Sequence, residues 1–195
     1  MYDSADATAD LRTAVSDWAG SFDGRATFTL PGSNAAGIVH RWEAVFGIDS
    51  DDTQRTLTAV TASGHIVHAP TSHRNLTATI ADDGDAVSFT ATVRDLTLDG
   101  NDRVALLFAG IDGGDIVHLD TLVTPVAGDI TAAAAVRAIL DDLAGGTPTL
   151  LLTRPAWWNI GGADVAYTVA TEAGLEQWGD TDVWSYFADE EEQTR

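Results

Sequence analysis

Ile-Val-His occurs three times in this chain of 195 residues, at 38–40, 66–68 and 116–118. Three imidazoles are the ligand set of a zinc ion that keeps an open position for water. In a strand the Ile and His of each tripeptide point to one face, so these imidazoles would share that face with core residues. The plainer reading is that β-branched residues open strands and that the repeat is chance. His65, His68 and His73 form a second cluster, but 65 and 68 would face opposite sides of a strand. His118 with Asp120, and His40 with Glu43, each make half of a catalytic triad for which nothing supplies the nucleophile. No serine sits in G-x-S-x-G, and Gly145-Gly146 and Gly161-Gly162 lack the phosphate-loop spacings. The absence of cysteine removes disulfides, thiolate metal sites and cysteine catalysis together. The chain is therefore not expected to be an enzyme. Asp82-Asp83-Gly84-Asp85 and Asp112-Gly113-Gly114-Asp115 offer hard oxygen ligands, yet neither matches the spaced twelve-residue calcium loop. No cofactor is expected; a structural cation bridging those acidic loops in high salt is the one ion they suit.

The elements that must carry these residues change period along the chain. Leu11, Ala14, Val15 and Trp18 fall at the spacing of one helical face, with Gly20 as a stop. From Ala26 the period becomes two. Strands are predicted at 26–30, 38–48, 55–61, 64–69, 75–81, 85–98, 103–111 and 116–126, with turn residues between them. Within 85–98, Val87, Phe89, Ala91 and Val93 alternate with Ser88, Thr90, Thr92 and Arg94. A second helix, capped by Asp129 and stopped by Gly145-Gly146, presents Val136, Ile139, Leu140 and Leu143. Strands at 149–153 and 163–171 follow. The fold class expected is mainly β: an antiparallel β-sandwich or single jelly-roll barrel with about two short helices. The domain plan is an N-terminal arm over 1–24, one β-sandwich domain over 25–187 and an acidic tail over 188–195.

Charge says where such a protein works. All ten cationic residues are arginine, against thirty acids, for a formal net charge of −20. That surface repels itself in dilute buffer. In about 1 M salt the Debye length shrinks to roughly 3 Å and the repulsion is screened. Lysine would add apolar stem with each charge, and this chain avoids it. The composition reads as haloarchaeal, or as that of a virus of such a host. The arginines are spread along the chain, so the clustered cationic face of a nucleic-acid binder is missing. The N-terminus lacks a basic n-region and an apolar h-region, and no apolar run approaches the ~20 residues of a membrane helix; synthesis in the host cytoplasm without a signal peptide is expected. Low salt should loosen fold and assembly alike. Circular dichroism and light scattering from about 3 M down to about 0.05 M salt test this, and an unchanged signal would refute it.

The remaining distinctive feature is aromatic. Four of six tryptophans lie late, at Trp157, Trp158, Trp178 and Trp184, the last followed by Tyr186 and Phe187. Aromatic residues concentrate at interface hot spots, so these six, with Leu11, Val15 and Trp18 of the first helix, are the candidate interface. The alternative use is a stacking platform for a carbohydrate or receptor.

In length, lysine-free acidic composition, serial β pattern from Ala26 to Val126 and lack of a signal peptide, the chain resembles the single β-barrel (jelly-roll) major capsid proteins of tailless icosahedral membrane-containing haloarchaeal viruses, most of all the smaller of their two. The resemblance implies a virion subunit that assembles with copies of itself and a larger sister capsid protein into capsomers close to an internal membrane. It implies no direct contact with nucleic acid and transfers no functional residue.

Overall fold

The computed structural model describes residues 26–33, 39–50, 55–68, 87–98, 114–124, 129–144 and 149–188. Seven strands make one mixed sheet: β1 (Ala26–Ser33), β2 (Val39–Ser50), β3 (Arg55–His68), β4 (Asp115–Val123), β5 (Thr149–Thr153), the two-residue β6 (Glu176–Gln177) and β7 (Trp184–Ala188). Their order across the sheet is β1-β2-β3-β4-β5-β7-β6. All pairings are antiparallel except β4 with β5, which run parallel. Among the described residues three α-helices accompany them: α1 (Val87–Leu98), α2 (Asp129–Ala144) and α3 (Ala163–Glu172). No helix among the described residues is long and apolar enough to cross a membrane.

The mainly β expectation holds in this coarse form, and the predicted strands at 26–30, 38–48, 116–126 and 149–153 are present. The runs 55–61 and 64–69 join into the single strand β3. Two segments differ in kind. Residues 85–98 were expected as a strand, and 87–98 are α1; residues 163–171 were expected as a strand, and they lie in α3. The described residues also form one sheet rather than two packed sheets. The predicted helix at 11–18 and the strands at 75–81 and 103–111 lie outside them.

Each face of the sheet has its own core, which explains both differences. On one face lie Val39, Val67, Ile116, Leu150 and Leu152, covered by Phe89, Val93 and Leu96 of α1. These helical residues recur at i, i+4 and i+7, a stripe that the Val-x-Phe-x-Ala-x-Val alternation masks. On the other face Trp42, Ala44, Phe46, Val117, Leu119, Leu122 and Leu151 pack against α2 and α3. The contact residues of those helices are mostly small, among them Ala132, Ala135, Ala166 and Ala170. In α3 the hydroxyls of Thr168 and Thr171 donate to the carbonyls four residues back, at 3.0 and 2.9 Å, so threonine costs the helix little polar frustration. Helix layers on both faces leave the central strand β5, Thr-Leu-Leu-Leu-Thr, buried throughout. That run of apolar residues is what a strand covered on both faces requires.

Candidate functional site

Between α1 and the sheet lies a set of converging polar side chains. Its frame is the β3–β4 ladder. His65 stands directly opposite His118, while one step further Gly64 faces Leu119 and Ser63 faces Thr121. Asp120 is therefore the extra residue of a β-bulge. The bulge shifts the alternation of β4: His118 and Asp120 turn toward α1, whereas Leu119 and Leu122 both reach the opposite core. Gly64 admits this geometry, because a Cβ there would lie 1.8 Å from the carbonyl oxygen of His118.

Three polar groups converge on Asp120. His118 Nδ1 lies 2.6 Å from Oδ1, His65 Nδ1 lies 2.7 Å from Oδ2, and the Ser88 hydroxyl of α1 donates to Oδ1. On the far side of the His118 ring, Nε2 is 3.0 Å from the hydroxyl of Thr92. That oxygen also accepts from Arg154 Nε at 3.1 Å. Phe89 stacks on the His118 ring at a centroid distance of 4.8 Å and also overlies His65, at 6.4 Å. Burial pushes the His118 pKa down, against the pull of the Asp120 charge and hydrogen bond, so the ring is neutral at neutral pH. Burial pushes Asp120 up, but the close polar contacts with His118, His65 and Ser88 outweigh it and hold the carboxyl well below the usual range. The carboxylate is ionised. The Thr92 hydroxyl itself donates to the Ser88 carbonyl one helical turn back, at 3.1 Å.

Arg154 closes the site from the end of β5. Its NH1 donates to both oxygens of Asp182, at 2.5 and 2.7 Å, and its NH2 to Asp95 of α1 at 2.5 Å. The guanidinium also lies 4.9 Å from the centre of the Trp157 ring. Asp182 sits in a tight loop between β6 and β7, where Trp178 N–H donates to the Val183 carbonyl at 2.8 Å and the Thr181 hydroxyl to that of Trp178 at 2.6 Å. One arginine thus joins α1, β5 and this loop. Three partners served by three nitrogens of one planar group fit a chain that keeps arginine and omits lysine.

Thr92, His118 and Asp120 have the order and spacing of a nucleophile, a base and its orienting acid. Yet Thr92 and His118 are each 0 % exposed, and the threonine oxygen is already engaged by Arg154. As folded, the triad-like row is a sealed polar lock that pins α1 to the sheet. No protein family, no characterised protein and no solved structure matches this chain.

The residues singled out from the sequence fare differently. His118 and Asp120 belong to the site, but their partner imidazole comes from His65, not from another Ile-Val-His. His40 pairs in register with Ile66, which belongs to the core on the opposite face, and Glu43 is engaged by Arg41 at 3.0 Å. His68 closes β3, and His73 and the acids at 82–85 and 112–113 lie outside the described residues. Leu11, Val15 and Trp18 lie outside them too. Trp158 and Trp184 are core residues, and Trp158 Nε1 donates to Thr153 at 3.0 Å. Trp178 and Tyr186 are half-buried, while Trp157 and Phe187 are 45 % and 37 % exposed. Ser88, Thr92, Arg154 and Asp182 went unread as site residues.

Proposed function

We propose that this protein is a structural, non-catalytic subunit working in molar salt, and that its place is the capsid of a halophilic archaeal virus. The observation that carries the reading is the sealing of the polar row: its hydroxyl and imidazole are buried beneath α1 and serve to hold helix and sheet together. A −20 surface without lysine supports service in high salt, where apolar burial strengthens and acids keep free subunits soluble. Trp157 and Phe187 are the exposed aromatics from which contacts to further copies or to a sister subunit are drawn. The parallel β4–β5 pair and helix α1 depart from jelly-roll order, so the proposal rests on burial and surface chemistry; a full jelly roll would need further strands from 75–81 and 103–111.

Density-gradient centrifugation of virions from a halophilic host should place the chain among the abundant components of the particle. The isolated chain in molar salt should form oligomers whose mass rises with concentration. A strictly monomeric chain that never co-migrates with particles would overturn the reading. The rival use as a carbohydrate or receptor platform is left with Trp157 and the half-buried Trp178, since Trp158 is in the core; monomer binding to glycans that Trp157→Ala or Trp178→Ala abolishes would favour it.

A further inference from the structure

We propose that His65, His118 and Asp120 form a binding site for a divalent transition ion of the zinc class. This is independent of the capsid reading. One potential ligand atom from each residue lies within 4.8 Å of the others. The imidazoles come from paired positions of β3 and β4, and the bulge turns the carboxylate toward both.

One observation points to an ion rather than to a purely hydrogen-bonded cluster. His65 is only 4 % exposed, yet among the described residues neither ring nitrogen has an aligned hydrogen bond. Its Nδ1 approaches Asp120 Oδ2 at 2.7 Å but off the line that a donated bond needs. A buried polar atom left without a partner is costly, and a metal bond at the ring lone pair gives that nitrogen one.

The surroundings have the form of an outer shell. Metal-bound imidazoles donate their second N–H to a fixed acceptor, and ligating carboxylates are themselves hydrogen-bonded. Thr92, held by Arg154, is that acceptor for His118, and Ser88 orients Asp120. Two nitrogens and a carboxylate select a borderline ion such as zinc over calcium or magnesium, which take oxygen. Bonds of about 2.0–2.1 Å at a tetrahedral angle hold their ligand atoms about 3.3 Å apart, so the contacts of 2.6 and 2.7 Å open by side-chain rotation when the ion enters. A fourth position remains for water or the second carboxylate oxygen.

Cobalt(II) tests the site spectroscopically on the full chain, stripped with chelator and kept in molar salt with excess magnesium to occupy surface carboxylates. One cobalt per chain should bind, with visible bands of nitrogen-ligated, low-coordinate metal that zinc abolishes by displacement. His65→Asn and Asp120→Asn should weaken binding by roughly 100-fold or more, and Thr92→Val by about 10-fold. Should a variant lose its near-ultraviolet dichroism, the wild-type chain still decides: zinc should shift the imidazole nitrogen resonances of His65 and His118 and leave His40 unmoved. Weak cobalt uptake that magnesium suppresses, unmoved imidazole resonances, or a folded His65→Asn that binds as the wild type does would overturn the proposal.

Discussion

Replacing Arg154 by leucine is expected to cost about 2–3 kcal/mol of stability, less than breaking a fully buried ion pair because Asp95 and Asp182 stay partly hydrated. The side chain is 5 % exposed, and its donors serve Thr92, Asp95 and Asp182. Leucine removes the cation that Asp95 and Asp182 share, leaving Asp95 the long contact with Arg94, and removes the donor that orients Thr92. Arg154→Lys is expected to rescue little. An ammonium carries one compact charge and cannot serve Asp182, Asp95 and Thr92 from three separate nitrogens held in one plane. Arg94 is the control. Its pairing with Asp95 is 3.6 Å long and 65 % of its side chain is exposed, so Arg94→Ala should change stability by about 0.5 kcal/mol or less. Urea unfolding at constant molar salt measures all three. The lock is disproved if Arg154→Lys is as stable as the parent, because a simple charge in that place would then be enough.

Arg154 also marks how far the sequence could be read. A lone arginine between Leu-Leu-Leu-Thr and proline is a cation at the mouth of a buried strand, which asks for partners. Those partners come from Thr92 and Asp95, in a segment whose alternation suggests a strand, and from Asp182, in a loop among other acids. Read at period two, 87–93 puts Thr92 and Phe89 on opposite faces; wound as a helix, it brings Ser88 and Thr92 one above the other toward His118. The segment satisfies both periods, and contact with the sheet decides between them. The same ambiguity hides α3, whose Val and Thr content favours a strand while Ala166, Val169 and Ala170 form a helical stripe. Strands β1, β2 and β4 and helix α2 were legible because only one period fits them, and β5 because its short apolar run is bracketed by Pro148 and Pro155. His118 and Asp120 were legible as a pair two residues apart, but the pairing of His65 with His118 depends on a register that no local pattern encodes.

Gly64 is the position where the smallest change should do the most damage. Alanine there would place its Cβ 1.8 Å from the His118 carbonyl oxygen, 2.9 Å from the carbonyl carbon and 2.8 Å from the Trp42 ring. The ring can turn, but the carbonyl belongs to β4, so relief requires the two strands to part beside the bulge. That parting would open the core behind Trp42 and Leu119 and draw His65 away from His118 and Asp120. A loss above about 4 kcal/mol is expected, in the range reserved for backbone clashes and broken buried networks. In molar salt the variant should show collapsed near-ultraviolet dichroism and fast hydrogen exchange along β3 and β4. Gly162 separates this steric cause from a conformational one. Its φ of 112° is one that alanine dislikes, yet no atom lies within 4 Å of a Cβ built there, so Gly162→Ala should cost only about 1–3 kcal/mol of local strain. A Gly64→Ala protein as stable as the Gly162→Ala protein would mean that the β3–β4 contact yields easily, and with it would go the rigid frame that brings His65, His118 and Asp120 together.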